Sequence, residues 1–229
     1  MTGNNQPVGT ASEPRRVSEP CPLCRCKATR PFHREHDRDY RRCPACQLTF
    51  LPPEQRPALE VEKARYETHR NSPGDDGYVT FLNKLVEVLT PQLAPGAEGL
   101  DYGSGPGPTL SLMLEKLGFP MTNYDPIFAP DEAALGRSYD FITCTESVEH
   151  FHRPGAEFRR LQGLLRPGGW LGIMTGILAS DHPFPGWWYT RDLTHVCFYN
   201  GATLGWIARR FGWELALPAE NVALFRWPN

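Results

Sequence analysis

The sequence has no hydrophobic run that approaches the roughly 18 apolar residues of a membrane-spanning helix. Its polar start, MTGNNQPVGTASEPRR, contains no apolar stretch to serve as a signal peptide. An excess of one charge is also lacking, since 24 Lys and Arg stand against 26 Asp and Glu, a formal net charge of −2. That balance argues against a membrane partner and gives no global indication of nucleic-acid affinity. We therefore expect a cytoplasmic protein.

With 229 residues, of which 40% are hydrophobic, the chain can bury one sizeable core and a small extra module. Residues 1–19 have almost no large apolar side chain, which predicts a disordered tail. Residues 20–52 are rich in Cys, Arg and Pro, and this segment is too short to own a hydrophobic core. Residues 53–77 are expected to form a linker with a helix around residues 58–69, and residues 78–229 the main domain.

The chain has seven cysteines, which in a reducing compartment indicate ligands or packed thiols rather than disulfides. Four of them form two CxxC pairs with eighteen residues between the pairs: Cys21, Cys24, Cys43 and Cys46. Four thiolates at that spacing can surround a zinc ion, and zinc binding would supply the folding energy that residues 20–52 lack. The alternative is a pair of redox CxxC motifs, but those normally open a helix beside a βαβ pattern. We predict a zinc ribbon, with Cys26 outside the ligand set.

Helical and strand patterns alternate from Tyr78 onward. The apolar spacing predicts strands at residues 99–102, 121–124, 141–144 and 170–175, with helices before and between them. A last helix capped by Asn200 leads to two closing segments at residues 214–217 and 222–227. This alternation predicts an α/β fold with a mostly parallel sheet that helices cover on both faces.

A glycine-rich segment, Asp101-Tyr-Gly103-Ser-Gly105-Pro-Gly107, follows the first of these strands. Glycine lets the backbone turn tightly and lets a ligand lie against the main chain at the carboxyl edge of the sheet. Asp125, at the end of the next strand, is placed to accept both hydroxyls of an adenosine ribose. The same pairing occurs in nicotinamide-dinucleotide enzymes, so an NAD-binding oxidoreductase is the alternative. The third glycine comes one position early for GxGxxG, which counts against that alternative.

Further motifs accompany this loop over residues 78–227. LDYGSGPG is joined by NYDP at the end of the second strand, and by YDFITCTESVEHFHRP and LLRPGGWLGIMT around the next two strands. As a set these motifs resemble class I S-adenosylmethionine-dependent methyltransferases of the methyltransferase-23 type. The resemblance implies a Rossmann-like fold and S-adenosylmethionine as cofactor. It places four residues around the cofactor's amino-acid end: Gly103, Ser104, Gly105 and Gly107.

The resemblance also implies that Asp125 binds the ribose and that Asp101 acts by position nearby. One departure from the family pattern concerns the adenine. Asp140 follows Asp125 by only 15 positions, too few for the usual helix, third strand and helix. We therefore expect Ile127 and Phe128 to form an apolar wall for the adenine.

The segment Glu146-Ser-Val-Glu149-His150 follows the strand at residues 141–144. Its ExxEH pattern resembles the divalent-metal motif of ubiquinone-pathway O-methyltransferases and of small-RNA 3′-terminal ribose 2′-O-methyltransferases. The latter take another histidine from a later loop, where His195 stands here. If a helical turn begins after the strand, Glu146, Glu149 and His150 share one face. Such a set suits Mg²⁺, Mn²⁺ or Zn²⁺, and the alternative is that the EH pair only caps and anchors the following helix.

We predict an S-adenosylmethionine-dependent methyltransferase that methylates a small-molecule hydroxyl. Deprotonation or metal binding would fall to four residues: Glu146, Glu149, His150 and His195. An RNA methyltransferase is the second choice, because residues 1–50 carry nine Lys and Arg against five Asp and Glu, a local excess of +4 that could hold phosphates. A non-catalytic cofactor-binding protein, with the ribbon as a docking module, is a further alternative. The aromatic loop at residues 184–189 is expected either to cover a substrate or to pack over the sheet edge.

Overall fold

The structure is a computed structural model that describes residues 19–68 and 72–228. The tail predicted at residues 1–19 therefore lies, apart from its last residue, outside the described residues. The strands, in chain order, are β1 (Arg30–Glu35), β2 (Arg38–Arg42), β3 (Thr49–Phe50), β4 (Gly99–Tyr102), β5 (Met121–Tyr124), β6 (Tyr139–Thr145), β7 (Leu165–Met174), β8 (Ile177–Leu178), β9 (Cys197–Asn200), β10 (Glu214–Ala219) and β11 (Val222–Arg226). The helices are α1 (Leu59–Tyr66), α2 (Asp76–Leu89), α3 (Thr109–Lys116), α4 (Pro154–Leu164) and α5 (Gly201–Phe211).

The main sheet has six strands in the order β10-β11-β7-β6-β4-β5. Strands β4, β5, β6 and β7 are parallel, and β11 and β10 close the sheet as an antiparallel hairpin beside β7. Because the four parallel strands point the same way, their carboxyl ends lie at one edge, where open α/β sheets bind ligands. The mixed but mostly parallel sheet confirms the predicted α/β fold.

Helices cover both faces of this sheet. The apolar side chains of α2 and α3, such as Leu85 and Leu114, pack in one cluster with Phe141. Phe158 of α4 and Ile207 of α5 pack in the other, with the neighbouring strand residues on the opposite face. That alternation follows from the two-residue period of a strand. Among the described residues, no helix is both long enough and apolar enough to span a membrane.

Helix ends follow local signals in the sequence. The Asp75 carboxylate accepts a hydrogen bond from the Tyr78 amide at the start of α2, and Asn200 caps α5 in the same way through the Thr203 amide. Gly212 ends α5 in the left-handed region, at φ 70°. Side-chain acceptors at the first position and glycine after the last one satisfy backbone groups that the helix itself leaves unpaired. The cap predicted at Asn200 is confirmed.

The segment of residues 20–52, called the ribbon below, is joined to the main domain by a second sheet. Its order is β1-β2-β3-β9-β8, so strands from both ends of the chain pair within it. Strand β3 is antiparallel to β9, and the Leu51 amide donates to the Val196 carbonyl. Buried ribbon side chains such as Leu48 and Phe50 belong to the same core as Phe198 and Tyr199. The ribbon thus has no core of its own, as its length predicted, and shares that of the main domain.

The connection after β5 explains the departure from the family pattern. Residues 125–138 hold one short 3-10 turn, Glu132–Gly136, and no further strand, so β5 is the edge of the main sheet. Strands β4 and β5 have the predicted bounds. Strands β8 and β9 were not predicted, since two to four residues without alternation carry no strand signal.

Candidate active site

A cavity of about 950 Å³ lies at the carboxyl ends of β4, β5 and β6. Segments that follow each of these strands form its floor, and α1 and the loop before β9 contribute further walls. Most of the predicted site residues line it together: Asp101, Gly103, Ser104, Gly105, Gly107, Asp125, Ile127, Phe128, Glu146, His150 and His195. Glu149 is fully buried directly behind this lining. The fold therefore brings residues from across the predicted motifs to one place.

The glycine-rich loop needs glycine at two positions. Gly103 and Gly105 have φ angles of 81° and 65°, in the left-handed region that favours glycine. A Cβ at position 103 would also lie 2.4 Å from the Ser147 hydroxyl oxygen. The amides of Gly103 and Ser104 donate to the Tyr124 carbonyl at 2.7 and 3.2 Å, which ties the loop to the end of β5. The main chain of the loop is thus exposed to the cavity and held in one shape.

Asp125 links the two motifs at this edge. One carboxylate oxygen accepts the Gly105 amide at 3.0 Å, and the other accepts the amides of Ile127 and Phe128 at 2.8 and 2.9 Å. The oxygen that accepts from Gly105 has a second lone pair, so the carboxylate can still accept from a ligand in the cavity. Ile127 and Phe128 line the same part of the cavity. The structure thus puts the predicted acceptor beside the predicted apolar wall.

Asp101 lies deeper, with 2% of its surface exposed. The Thr143 hydroxyl donates to its carboxylate at 2.8 Å. Burial raises the pKa of Asp101 to about 6, and the hydrogen bonds from Thr143 and Ser111 only partly offset that effect. A carboxylate is therefore kept at the floor of the cavity at a cost in stability.

Glu146 differs from the expected helical placement. Its φ is 46°, outside the helical region, and the short 3-10 turn that follows covers only Val148–His150. Glu146 and Glu149 thus do not share a helical face, because the left-handed residue directs the chain away before the turn begins. The Glu146 side chain is exposed to the cavity. Desolvation by the protein atoms that surround it there, followed by the charge of Glu149, raises its pKa to about 9.

Glu149 is held by two hydroxyl groups that the sequence patterns did not reveal. The Tyr189 hydroxyl donates to one carboxylate oxygen at 2.6 Å and the Thr175 hydroxyl to the other at 2.9 Å. The same Tyr189 hydroxyl lies 3.5 Å from a Glu146 oxygen. Tyr189 belongs to the aromatic loop and is only 2% exposed. This tyrosine therefore links the two glutamates. The sequence signal that could have suggested it is the presence of an aromatic loop in a protein with an acidic motif at the same edge of the sheet.

His150 and His195 face each other, with ring centroids 4.9 Å apart. The Nδ1 atom of His150 lies 3.0 Å from the Thr194 carbonyl oxygen, and Nδ1 of His195 lies 2.8 Å from the Tyr189 carbonyl oxygen. A carbonyl only accepts, so each Nδ1 carries the hydrogen and each Nε2 keeps its lone pair. Burial lowers the pKa of His195, which favours the neutral ring.

These side chains form a cluster of possible ligand atoms. One atom each from Glu149, His150 and His195 lie within 4.8 Å of one another, whereas Glu146 is not a member of this group. A carboxylate and two imidazoles, with each imidazole held through its other nitrogen by a carbonyl, form the arrangement typical of metal-binding histidines. The same contacts anchor the loop before β9 to the turn at residues 148–150. They do not cap the following helix, which the alternative expected, because α4 starts without a side-chain cap.

Two segments cover the cavity, helix α1 and the aromatic loop at residues 184–189. Glu62 and Tyr66 of α1 line the cavity, and the Tyr66 ring packs edge-on to His150 with centroids 5.1 Å apart. In the aromatic loop, Phe184, Trp187 and Tyr189 are buried, while Trp188 is 64% exposed at the cavity mouth. Three aromatic residues thus pack over the sheet edge, and one is free to cover a ligand.

The predicted zinc ligands lie together in the ribbon. One sulfur atom from each of Cys21, Cys24, Cys43 and Cys46 lies within 4.8 Å of the others, and the distances Cys21–Cys46 and Cys24–Cys43 are 3.5 and 3.4 Å. Zn–S bonds of roughly 2.3 Å in a tetrahedron give sulfur separations of roughly 3.8 Å. The residues present therefore fit a zinc site with four thiolate ligands, and they are called the cysteine cluster below.

The two CxxC turns have the same backbone geometry. The amide of the first cysteine donates to the carbonyl five residues on, from Cys21 to Cys26 and from Cys43 to Leu48, each at 2.9 Å. Arg25 and Gln47 then occupy equivalent left-handed positions, at φ 63° and 60°. Cys26 is thus the counterpart of Leu48, a packed residue, which is the physical reason that it stands outside the cysteine cluster.

Comparison with known proteins agrees with this geometry. A family model described as a methyltransferase domain matches residues 74–217, more than half of the chain. The chain belongs to this family. It is an S-adenosylmethionine-dependent class I methyltransferase, and not an oxidoreductase. No curated protein matches the sequence closely enough to be compared with it.

Solved structures of methyltransferases share the fold. Human N-acetylserotonin methyltransferase in complex with S-adenosylmethionine aligns with a TM-score of 0.54 at 13% identity, over 76% of this chain and 60% of that one. A methyltransferase of Thermotoga maritima aligns with a TM-score of 0.48 at 15% identity, over 75% and 96%. The magnesium protoporphyrin IX methyltransferase of Synechocystis aligns with a TM-score of 0.46 at 17% identity, over 74% and 91%.

Proposed function

We propose that this methyltransferase transfers the methyl group of S-adenosylmethionine to a hydroxyl oxygen of a small molecule, assisted by a divalent cation at Glu149, His150 and His195. The observation that carries the proposal is the position of this group of residues. It borders the cavity that the glycine-rich loop and Asp125 also line. The methyl donor and an activated acceptor can therefore meet in one enclosed space.

The cofactor would lie along the carboxyl edge of the sheet. The exposed main chain of Gly103, Ser104, Gly105 and Gly107 would surround its amino-acid end, above Asp101. Asp125 would accept from the ribose hydroxyls, and Ile127 and Phe128 would contact the adenine. The lone pair left on the Asp125 carboxylate and the two positive φ angles in the loop support this placement.

The cation site rests on the chemistry of its donors. One carboxylate and two imidazoles suit Mn²⁺ or Zn²⁺ better than Mg²⁺, which prefers oxygen ligands and keeps several waters. A bound cation would lower the pKa of the acceptor hydroxyl and orient it. Tyr189 and Thr175 hold the Glu149 carboxylate, and two carbonyls hold the histidine rings, so the chain keeps these donors in place. Glu146, at the same wall, would receive the proton once the positive charge of the bound cation has lowered its pKa from about 9 and ionised its carboxyl group.

The size of the site favours a small acceptor. Pockets for small molecules typically enclose roughly 300–1,000 Å³, and the cavity here has about 950 Å³ for cofactor and acceptor together. The human enzyme, which aligns with a TM-score of 0.54, is named for the small molecule N-acetylserotonin. RNA is less well supported, because Arg38, one of the basic residues counted in the ribbon, is buried and bound to backbone carbonyls. Zinc in the cysteine cluster would serve the fold of the ribbon.

The test is turnover of a panel of hydroxyl acceptors before and after mild chelation that spares the cysteine cluster. We expect chelation to abolish turnover while calorimetry shows unchanged S-adenosylmethionine binding, and Mn²⁺ to restore turnover. His195→Ala should lower kcat by more than the roughly 100-fold that marks the upper end for residues that only orient a metal ligand. The matched control is His182→Ala, which removes an exposed histidine outside this cavity.

Two results would contradict the proposal. Normal turnover in His195→Ala would leave His150 and His195 as structural anchors of the loop before β9. If turnover survives chelation, the cation has no role in the reaction, although the methyltransferase activity itself stands. Binding of S-adenosylmethionine or its demethylated product, and not of NAD, should raise the melting temperature in every case.

A further inference from the structure

We propose that the ribbon is a working part of the active site, because its Arg38 positions residues 190–195, called the histidine segment below, which carry His195. This inference rests on the proposed function insofar as His195 acts in catalysis. Arg38 is here a positioning residue, since it does not line the cavity and contacts His195 at the backbone carbonyl rather than at the imidazole ring.

The contacts of Arg38 are concentrated on this one segment. Its guanidinium donates through Nη1 to the carbonyls of Thr190 and Asp192 at 3.0 and 3.1 Å. Through Nη2 it donates to Leu193 at 3.4 Å and to the His195 carbonyl. Only 6% of Arg38 is exposed. Four carbonyls of six consecutive residues therefore turn toward a single side chain, and a planar fork with several donors is the only natural side chain that can satisfy them all.

The histidine segment has little regular structure to hold it otherwise. Its first two residues end the 3-10 turn Trp188–Arg191, and the rest of it has no regular structure before β9 begins at Cys197. Within it, Asp192 accepts from the amide and hydroxyl of Thr194 at 2.9 and 2.6 Å. Arg65 of α1 binds the Asp192 carboxylate from the exposed side at 2.8 Å. The inner side of the segment, where the carbonyls point, is occupied by Arg38.

The whole group of possible cation ligands depends on the place of this segment. His195 belongs to it, and the Thr194 carbonyl accepts from Nδ1 of His150. The next amide, of Val196, donates to the Glu149 carbonyl at 2.9 Å. A shift of the segment would therefore move one ligand and release the contacts that orient the other two. Without Arg38 the buried carbonyls of Thr190 and His195 would lose their donor, and buried unpaired groups are costly enough to drive that shift.

Arg38 is itself placed by the ribbon. It is the first residue of β2, directly after a turn in which His36 and Asp37 have positive φ angles. Strand β2 ends one residue before Cys43, and β2 pairs with β3, which pairs with β9. The cysteine cluster thus fixes one end of the strand whose other end holds the histidine segment. Loss of zinc should for this reason reach a site outside the ribbon.

The experiment compares Arg38→Met and Arg38→Lys with Arg41→Met in the full chain. Arg41 is a matched control, because it also lies on β2 but donates only to Thr29 within the ribbon. Six quantities are measured: hydrogen exchange of residues 190–196, Mn²⁺ affinity by electron paramagnetic resonance, kcat, KM, the dissociation constant of S-adenosylmethionine by calorimetry, and zinc per chain.

We expect Arg38→Met to speed exchange of the histidine segment by about tenfold or more, as buried carbonyls lose their donor. Mn²⁺ affinity and kcat should each fall by roughly 10–100-fold, the effect typical of groups that orient metal ligands. The dissociation constant of S-adenosylmethionine and the zinc content should stay within about twofold, because the glycine-rich loop and the cysteine cluster are intact. Arg38→Lys should recover part of each loss, and Arg41→Met should change none of them.

Unchanged exchange in Arg38→Met would overturn the inference, and so would faster exchange with unchanged Mn²⁺ affinity and kcat. If Arg38→Met does not fold, the comparison of Arg38→Lys with Arg41→Met decides by the same criteria. Failure of the proposed function has a different signature, in which wild-type protein binds no Mn²⁺ and His195→Ala turns over normally. Exchange of the histidine segment would then still report whether Arg38 holds it.

Discussion

Residues 19–68 and 72–228 contain two groups of possible metal ligands, and each group brings its ligand atoms within 4.8 Å of one another. In the ribbon, the four cysteines stand on two identical turns inside a shared core, with no part in the cavity lining. At the sheet edge, two of the three residues, His150 and His195, line a cavity of about 950 Å³. The first group is closed, since it offers four protein ligands for one tetrahedral ion, and the second has an open side.

This difference separates a site that stabilises the fold from one that can do chemistry. Structural zinc sites use all their positions for protein ligands, whereas catalytic sites keep a position open for water or substrate. The closed group shares its core with β9, so its contribution is to stability. The open group lies beside Asp101, a buried carboxyl group with a raised pKa, and beside Glu146, which faces the cavity. Substitutions in the cysteine cluster should therefore act first on stability, whereas substitutions at the sheet edge should act on binding and turnover.

The largest effect is expected for Cys43→Ser in the closed group. Structural zinc contributes roughly 10–16 kcal/mol in zinc-finger peptides, and the ribbon has no separate core to replace it. Zinc should fall from about one ion per chain to none, and the melting temperature should drop sharply. Elemental analysis and thermal unfolding measure the two outcomes.

Cys26→Ser is the control for that substitution, because Cys26 is the counterpart of Leu48 and lies outside the cysteine cluster. It should retain its zinc. If Cys43→Ser contains as much zinc as wild type, the four cysteines are not a closed zinc site, and the contrast with the open group at the sheet edge fails.

Asp101→Asn should act in the opposite direction on stability. The pKa of Asp101 is raised to about 6 in the folded chain from an ordinary 3.8, so the folded state loses stability as the pH rises between these values. Asparagine removes this cost and can still accept from Thr143. We expect a gain of about 3 kcal/mol in the free energy of unfolding at pH 7.5 and of about 1 kcal/mol at pH 4.5.

Urea unfolding without cofactor measures this gain, and Asp181→Asn, at an exposed aspartate, should show no such pH dependence. A lower free energy of unfolding for Asp101→Asn than for wild type at pH 7.5 would mean that the carboxylate stabilises the fold rather than destabilising it. Cofactor binding should weaken even as stability rises, if the carboxylate serves the site.

Asp125→Ala should have the smallest effect of the three. It removes an acceptor of the Gly105, Ile127 and Phe128 amides and of the proposed ribose hydroxyls. We expect S-adenosylmethionine to bind more weakly by about 1–3 kcal/mol, measured by calorimetry. Asp131→Ala is the control, since Asp131 only caps the following 3-10 turn through Ala133. If Asp125→Ala and Asp131→Ala lose the same binding free energy for S-adenosylmethionine, Asp125 acts only by holding the glycine-rich loop and not by accepting from the ribose.

The sequence predicted those parts of the fold that local spacing specifies. The bounds of β4 and β5, the cap at Asn200 and the grouping of the four cysteines follow from residues that lie close together in the chain. Strands β8 and β9 were not predicted from the sequence, because they form only by pairing with each other and with the ribbon. The turn after β6 differed because Glu146 adopts a left-handed conformation that no residue pattern there indicates.

The sequence by itself determined the methyltransferase core, the glycine-rich loop and the cysteine spacing, because each depends on periodicity or on short covalent separations. Only the tertiary structure decided which basic and aromatic residues serve the site. Arg38 counted as part of a basic excess until the fold placed it against carbonyls 152 to 157 positions away. Tyr189 likewise bonds to Glu149 across 40 positions. Such contacts carry no local signal, since they arise when distant segments share one buried space and their polar groups must find partners there.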